Sequence, residues 1–396
     1  MSRLQRQAEV LKLARLLGIE TRALASLEKL DAESIRSFRE KVSHRLFDAD
    51  AARLKRVALA SKLLPVPLIA LLAEQVFGAL LCARVAGLIA PDRAAEVAQR
   101  LRTPFLADVS LEIDPRRVRE VIQRIPISKL VEVALELARR GEYVVLARFV
   151  DVVSTAAIKA VMDSLTDNGA LLRIAFFVED KSRINDLLGL LPVERLRDII
   201  LIAADDSEDL WSEALALIND VSPEWRKKLG EMAATLDDNI LLSMARAAQN
   251  KNLWSAVLPV VAVLGAPHQK RLVNLPIMHE LPVLSRVLDT AEQDRLWPQL
   301  LPLLPMMDEA GQECLAVAAE QLDDTAFGHV FEAVNAARSW APLIVLLLRM
   351  REEVRARIRP LISRLSPDQA RGILQQADQL GVLKKVESLW ASLSAK

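Results

Sequence analysis

Apolar residues recur along most of this chain at intervals of three and four, which is the repeat of one helical face. Between residues 180 and 394 the pattern itself repeats. Trp211, Trp254, Trp297 and Trp340 stand 43 residues apart. Four positions after each tryptophan come Leu215, Leu258, Leu301 and Ile344. Seven after come Ile218, Val261, Leu304 and Leu347, with Trp390 in the last unit. Ten after come Val221, Leu264, Met307, Met350 and Leu393. These offsets fall on one stripe of an α-helix.

Cut at this period, units begin at Asp180, Pro223, Ala266, Glu309 and Glu352. The pattern predicts three helices in each. In one unit the first covers residues 224–234 and the second 237–248, introduced by Asp237 and Asp238 as Asp323 and Asp324 introduce theirs. The third opens on the tryptophan, whose column holds Leu383 in the last unit. Residues 150–179 fit the same frame one period earlier, without a tryptophan. Three helices in 43 residues is armadillo or HEAT spacing. A unit this small buries its apolar face only against the next unit. The expected fold is therefore all-α: a right-handed α-solenoid, an armadillo/HEAT-like superhelix of three-helix repeats. In it the tryptophans are core anchors rather than a binding stripe.

Upstream the style changes. Residues 1–62 predict four helices: one ending at Gly18, one over residues 21–30, one capped by Asp31, and one capped by Asp48 or Asp50. They read as an N-terminal cap or small helical domain. Residues 63–149 carry shorter helices, and residues 150–396 the regular array. Two helix-opening phrases stand 24 residues apart, Ile89-Ala90-Pro91-Asp92-Arg93-Ala94-Ala95-Glu96-Val97 and Ile113-Asp114-Pro115-Arg116-Arg117-Val118-Arg119-Glu120-Val121. Residues 89–115 resemble the short helical repeats of the flagellar motor switch protein FliG and of the cytoplasmic N-terminal domain of MgtE-type magnesium transporters. That resemblance implies an armadillo-like superhelix. It implies no activity, and no functional residue is carried over.

Composition agrees with helix. Apolar residues make up 52%, aromatics 4%, and there are only 12 glycines. Net charge is zero, which argues against a large phosphate-binding footprint and hence against nucleic acid. Residues 1–62 hold a local excess, 14 Lys/Arg against 8 Asp/Glu, read first as a solvated helical face. The stretch 63–90 contains only Glu74 and Arg84 as charges. Pro65, Pro67, Gly78 and Gly87 interrupt it, so two buried helices are expected there rather than a membrane span. No secretory signal is visible at the N-terminus, and a cytoplasmic location is the default.

Candidate chemistry is sparse. Cys82 and Cys314 sit in apolar surroundings and read as small core residues. His44, His268, His279 and His329 make no metal-binding pair. No phosphate loop or nucleophile elbow is present. No catalytic, metal or cofactor site is expected. The polar turns before each third helix are the candidate partner surface: Asp205, Asp206 and Asp209, then Asn250 and Asn252, then Asp294 and Arg295, then Arg338. The leading expectation is a non-enzymatic scaffold that holds a protein or peptide on the solenoid surface. A peripheral membrane or apolar-ligand carrier, touching a membrane surface through residues 1–90, is the first alternative. A HEAT-like nucleic-acid-binding protein is the second.

Overall fold

The computed structural model describes residues 3–48, 54–55, 58–59, 63–205, 210–362 and 367–387. Among them every regular element is a helix. Contacts divide the chain into two compact units, residues 1–202 with 212–221, and residues 203–211 with 222–396.

The first unit opens with α1 (Arg3–Leu17), a 3-10 segment (Thr21–Lys29) and α2 (Ala32–Asp48). Asp31 caps α2 as expected, accepting from the Ser34 backbone N–H at 2.9 Å. Of the two cap positions expected for a fourth helix, Asp48 is instead the last residue of α2, and Asp50 lies outside what is described. Then follow α3 (Val66–Ala86), α4 (Pro91–Arg100), α5 (Thr103–Glu112), α6 (Arg119–Ile122), α7 (Ile127–Arg139) and α8 (Tyr143–Val150). Next come α9 (Thr155–Ser164), α10 (Asn168–Phe177), α11 (Lys181–Leu188), α12 (Val193–Ala204) and α13 (Leu210–Asp220). Prolines open α4 and α5, where a missing N–H costs nothing. Ser154, Asp167 and Asp180 cap α9, α10 and α11 through their side-chain oxygens. One core runs from Ala70 to Ala170, and a smaller one joins Val10 and Leu13 of α1 to Ile35 of α2.

The helix α3 departs from expectation. It is one broken helix with a π-turn at Ala73–Phe77, followed by Gly78 at φ 73° and ψ 170°. Its inner side, including Val66, Ile69, Ala70, Ala83 and Val85, is buried. Its outer side is not: Leu68, Leu71, Val76, Phe77 and Leu80 are exposed, as is Leu63 before it. An element apolar all round carries no signal of which side has a partner, so the two buried helices expected here are only half right.

The second unit contains α14 (Pro223–Ala234), α15 (Asp238–Asn250), α16 (Trp254–Ala262), α17 (Ala266–Val273), a 3-10 turn (Pro276–His279) and α18 (Leu281–Gln293). It continues with α19 (Trp297–Leu300), which tightens into a 3-10 segment (Leu301–Met306), then α20 (Glu309–Ala319), α21 (Asp324–Ala337), α22 (Ala341–Arg349), α23 (Glu352–Ile362) and α24 (Pro367–Gln379). Pro302 and Pro305 remove amide donors, which is why the α-helix stops so early after Trp297. Trp254, Trp297 and Trp340 are core residues, 3–4% exposed, with Leu258, Leu304 and Ile344 beside them in the stripe. Burying each ring removes ~150–250 Å² from water, worth several kcal/mol at ~25 cal/mol/Å² as an upper bound. Trp211 is only half-buried.

Gly78 has open space around the position a Cβ would take, so only its backbone forbids a side chain. Gly78→Ala is expected to destabilise by about 1–3 kcal/mol, the cost of a region open essentially to glycine alone. Urea unfolding measures it; an unchanged midpoint would show that the break in α3 relaxes freely.

Candidate functional site

The predicted turn residues occupy helix ends. Asn252, Arg295 and Arg338 have φ of 56°, 58° and 50°, the left-handed region. Each follows a helix that ends in a double carbonyl-capping turn. Leu253 N–H reaches back to the Ala248 carbonyl at 2.8 Å, Leu296 to Ala291 at 2.8 Å, and Ser339 to Val334 at 3.2 Å. The bond from the left-handed residue itself runs to Gln249, Glu292 and Asn335. Gly381 makes the same turn with φ 70°, bonding Asp378, while Val382 bonds Ala377. Glycine takes this conformation without strain. Asparagine tolerates it, and an arginine holds it at roughly 1–2 kcal/mol.

All three left-handed residues are exposed, as are Asp205, Asn250 and Asp294. Among the described residues the side chains of Asn252, Arg295 and Arg338 make no hydrogen bond or ion pair. Asp206 and Asp209 lie outside the described residues. The structure thus puts Asn252, Arg295 and Arg338 at the same place in three helix corners, with Asn250 and Asp294 one or two residues before.

The positions just inside these corners form a polar row. Gln249 Oε1 accepts from Trp254 Nε1 at 2.8 Å, and Glu292 Oε2 accepts from Trp297 Nε1 at 2.8 Å. The other oxygen of Glu292 lies 2.7 Å from His329 Nδ1 of α21. Asn335 Oδ1 accepts from Gln369 Nε2 of α24 at 2.6 Å. A buried indole N–H needs such an acceptor, and the row supplies it at the tryptophan's polar edge. Trp211 Nε1 is buried without an acceptor among the described residues. Five positions before it, where Gln249 and Glu292 stand in later units, the sequence has Asp206.

A second cluster, in the first unit, escaped the sequence entirely. Glu9 and Lys12 of α1 are 4% and 6% exposed, rare values for charged residues. Lys12 Nζ lies 2.8 Å from Glu9 Oε1, and Arg39 Nε of α2 donates to Glu9 Oε2 at 3.3 Å. Arg39 Nη2 also donates to Glu179 Oε1 at 2.6 Å, and Arg116 Nη2 to the other oxygen of Glu179. Arg116 in turn reaches Glu40 at 3.1 Å. Burial works to raise the pKa of Glu179; Arg39, Lys12, Arg116 and Arg36 together outweigh it and hold the carboxyl below its ordinary range. Nearby, burial lowers the Lys181 amine to about 8 while it donates to the Phe176 carbonyl at 2.7 Å. The α1–α2 hairpin is therefore seated on the rest of its unit through compensated charges. The periodicity of α1 places Glu9 and Lys12 next to Val10 and Leu13, but nothing local marks them as buried. Arg116 and Arg140 also bridge elements, Arg140 reaching Asp108 of α5 at 2.6 Å.

Other reactive groups are quiet. Burial pushes the Cys82 thiol up to about 11, away from the thiolate a nucleophile needs. His279 Nε2 lies 3.0 Å from Asp308 Oδ1 but lacks the alignment of a hydrogen bond. Among the described residues no three His, Cys, Asp or Glu side chains group closely enough to hold a metal ion. Comparison with known protein families, curated proteins and solved structures gives no match for this chain.

Removing the Glu179 charge leaves Glu9 as the one buried carboxylate facing Arg39 and Lys12. Glu179→Gln is expected to cost about 3 kcal/mol at neutral pH in denaturant unfolding, whereas Glu40→Gln, at an exposed pair, costs under about 1 kcal/mol. The folded pKa of Glu179 lies below its ordinary 4.5. Its contribution is therefore complete above that value and is lost as pH falls through the folded one. The gap between wild type and Glu179→Gln should close correspondingly in acid. A gap that persists unchanged there would mean shape, not charge, is what Glu179 supplies.

Proposed function

We propose that the chain is a non-enzymatic scaffold whose helical repeats hold a protein partner along the exposed helix corners at Asn250, Asn252, Asp294, Arg295 and Arg338. The repeat reading draws support from the second unit taken by itself. Helices there start at Pro223, Ala266, Glu309 and Glu352, and left-handed corners fall at 252, 295, 338 and 381, each set 43 residues apart. A right-handed α-solenoid of three-helix units accounts for both spacings. In such an array each unit buries its face on the next, leaving a row of equivalent corners on the surface.

One observation carries the functional reading. Two arginines and an asparagine hold a conformation that glycine holds freely at Gly381, and their side chains are unengaged. Strain retained at exposed positions marks residues kept for contact rather than for folding. Alternating Asp294 and Arg295, with Arg338 one corner on, suits a partner presenting both signs of charge. The neutral net charge supports a protein over nucleic acid.

The double variant Arg295→Gly with Arg338→Gly tests this. Relief of the left-handed arginines offsets glycine's extra unfolded-state entropy, so stability should hold or rise by up to about 1 kcal/mol. In quantitative affinity capture, a stoichiometric partner should appear with wild type and be depleted with the variant. A partner retained by the variant would remove the corners from the binding surface. No stoichiometric partner at all would remove the scaffold.

A further inference from the structure

The α1–α2 hairpin has a core of its own. Val10, Leu13 and Ile35 are 0–1% exposed, and the residues packed against them, Leu16, Leu24 and Leu27, also belong to the hairpin. The main core, from Ala70 to Ala170, is a separate cluster, and neither cluster draws a residue from the other. What ties the hairpin to the rest of the unit is a set of polar bonds to helix ends. Gln5 Nε2 donates to Asp220 Oδ1 at the end of α13 at 2.7 Å. Arg15 pairs with Glu142 just before α8, and Glu40 with Arg116 between α5 and α6. Lys12 and Arg39 meet Glu179 just after α10.

Exposure grades these ties. The side chains of Arg15, Arg116 and Glu40 stand 41–52% in solvent, where an ion pair holds little. Those of Glu9, Lys12, Arg39 and Glu179 are between 5% and 11% exposed, so the centre decides whether the hairpin stays. On the body side the centre turns on one carboxylate. Glu179 takes Arg39 Nη2 at 2.6 Å on one oxygen and Arg116 on the other, with Lys12 Nζ at 3.8 Å.

Without that charge, Lys12, Arg36 and Arg39 of the hairpin face Arg116 and Arg148 of the body, and Glu9 is the buried carboxylate left among them. Lys181 adds an amine within reach of Lys12 and Arg36. The neighbouring acids do not replace Glu179. Asp180 accepts from the Ser182 backbone N–H at 3.0 Å and from its hydroxyl at 2.5 Å, and burial holds the Asp151 carboxyl above its ordinary range. Like charges in a dry interface repel strongly, and each regains its solvation once the hairpin lifts.

We propose that the α1–α2 hairpin is a latch keyed by Glu179: it lifts from the first unit as one piece when that carboxylate loses its charge, while the body stays folded, and closes when the charge returns. Lifting uncovers the ends of α10 and α13 and the turn before α8.

Double electron–electron resonance on the full chain tests it, with spin labels at Ser26→Cys in the hairpin and Lys159→Cys in α9, on a Cys82→Ala, Cys314→Ala background. Both label positions are exposed. At neutral pH the intact interface is expected to give one distance. Glu179→Gln should raise the opening constant about a hundredfold and add a second, longer distance in at least about a tenth of the molecules. Arg39→Gln, the same cut made from the hairpin side, should do likewise, and Glu40→Gln at the rim should not. Circular dichroism should lose no more helix than the hairpin contains. A single distance in both central variants overturns the proposal, because the hairpin would then be an integral part of the fold. So does a larger loss of helix, which would mean that the body unfolds with it, and so does a second distance in Glu40→Gln, which would take the keyed role from Glu179.

Discussion

Short helices can stack only if each one stops and turns within a residue or two. In the second unit that requirement is met by the left-handed corner, in which two amides fold back onto the last carbonyls of the finished helix. Everything nearby depends on it. The corner at Asn252 releases the chain directly into Trp254, and that at Arg295 into Trp297, so the ring enters the core at the first position of the new helix. The residue three positions before the corner, Gln249 or Glu292, is then within reach of the indole N–H. One backbone conformation places an apolar anchor and its polar partner together.

The first unit solves a different problem by a different route. Its α1–α2 hairpin has a small apolar core of its own, around Val10, Leu13 and Ile35. Charges do the rest. Buried ion pairs are a poor source of stability, since desolvation consumes much of the attraction, but they tolerate no mispairing. Glu9, Lys12, Arg39 and Glu179 satisfy one another only in one arrangement, so their worth is in fixing how the hairpin sits. The same economy appears at α3, where Arg102 ties Glu74 and leaves the outer row purely apolar.

The two surfaces so distinguished are of different character. The corners are polar, strained and evenly spaced. The outer row of α3 is apolar, Leu68, Leu71, Val76, Phe77 and Leu80 all being exposed.

Much of the helical content was legible in advance because it is local. Three-and-four periodicity, prolines at first turns and Asp caps such as Asp31 and Asp323 act within a few residues, and the tryptophan column announced its own burial at 254, 297 and 340. The corner residues were legible as polar turns, but not as strained ones: φ is set by how the next helix must leave, and no residue type other than glycine declares it. Three things belonged to tertiary structure alone. Glu9 and Lys12 became buried because Arg39 and Glu179, 30 and 170 residues from Glu9, arrive to compensate them. The polar row beside the tryptophans needed His329 and Gln369 from later helices. And α3, apolar on every side, could be assigned an inner and an outer face only once α4 and α5 had covered one of them. Sequence determined where the chain coils and stops. Which surfaces meet was decided by partners distant along the chain, because burial and charge compensation depend on the pair and not on either residue.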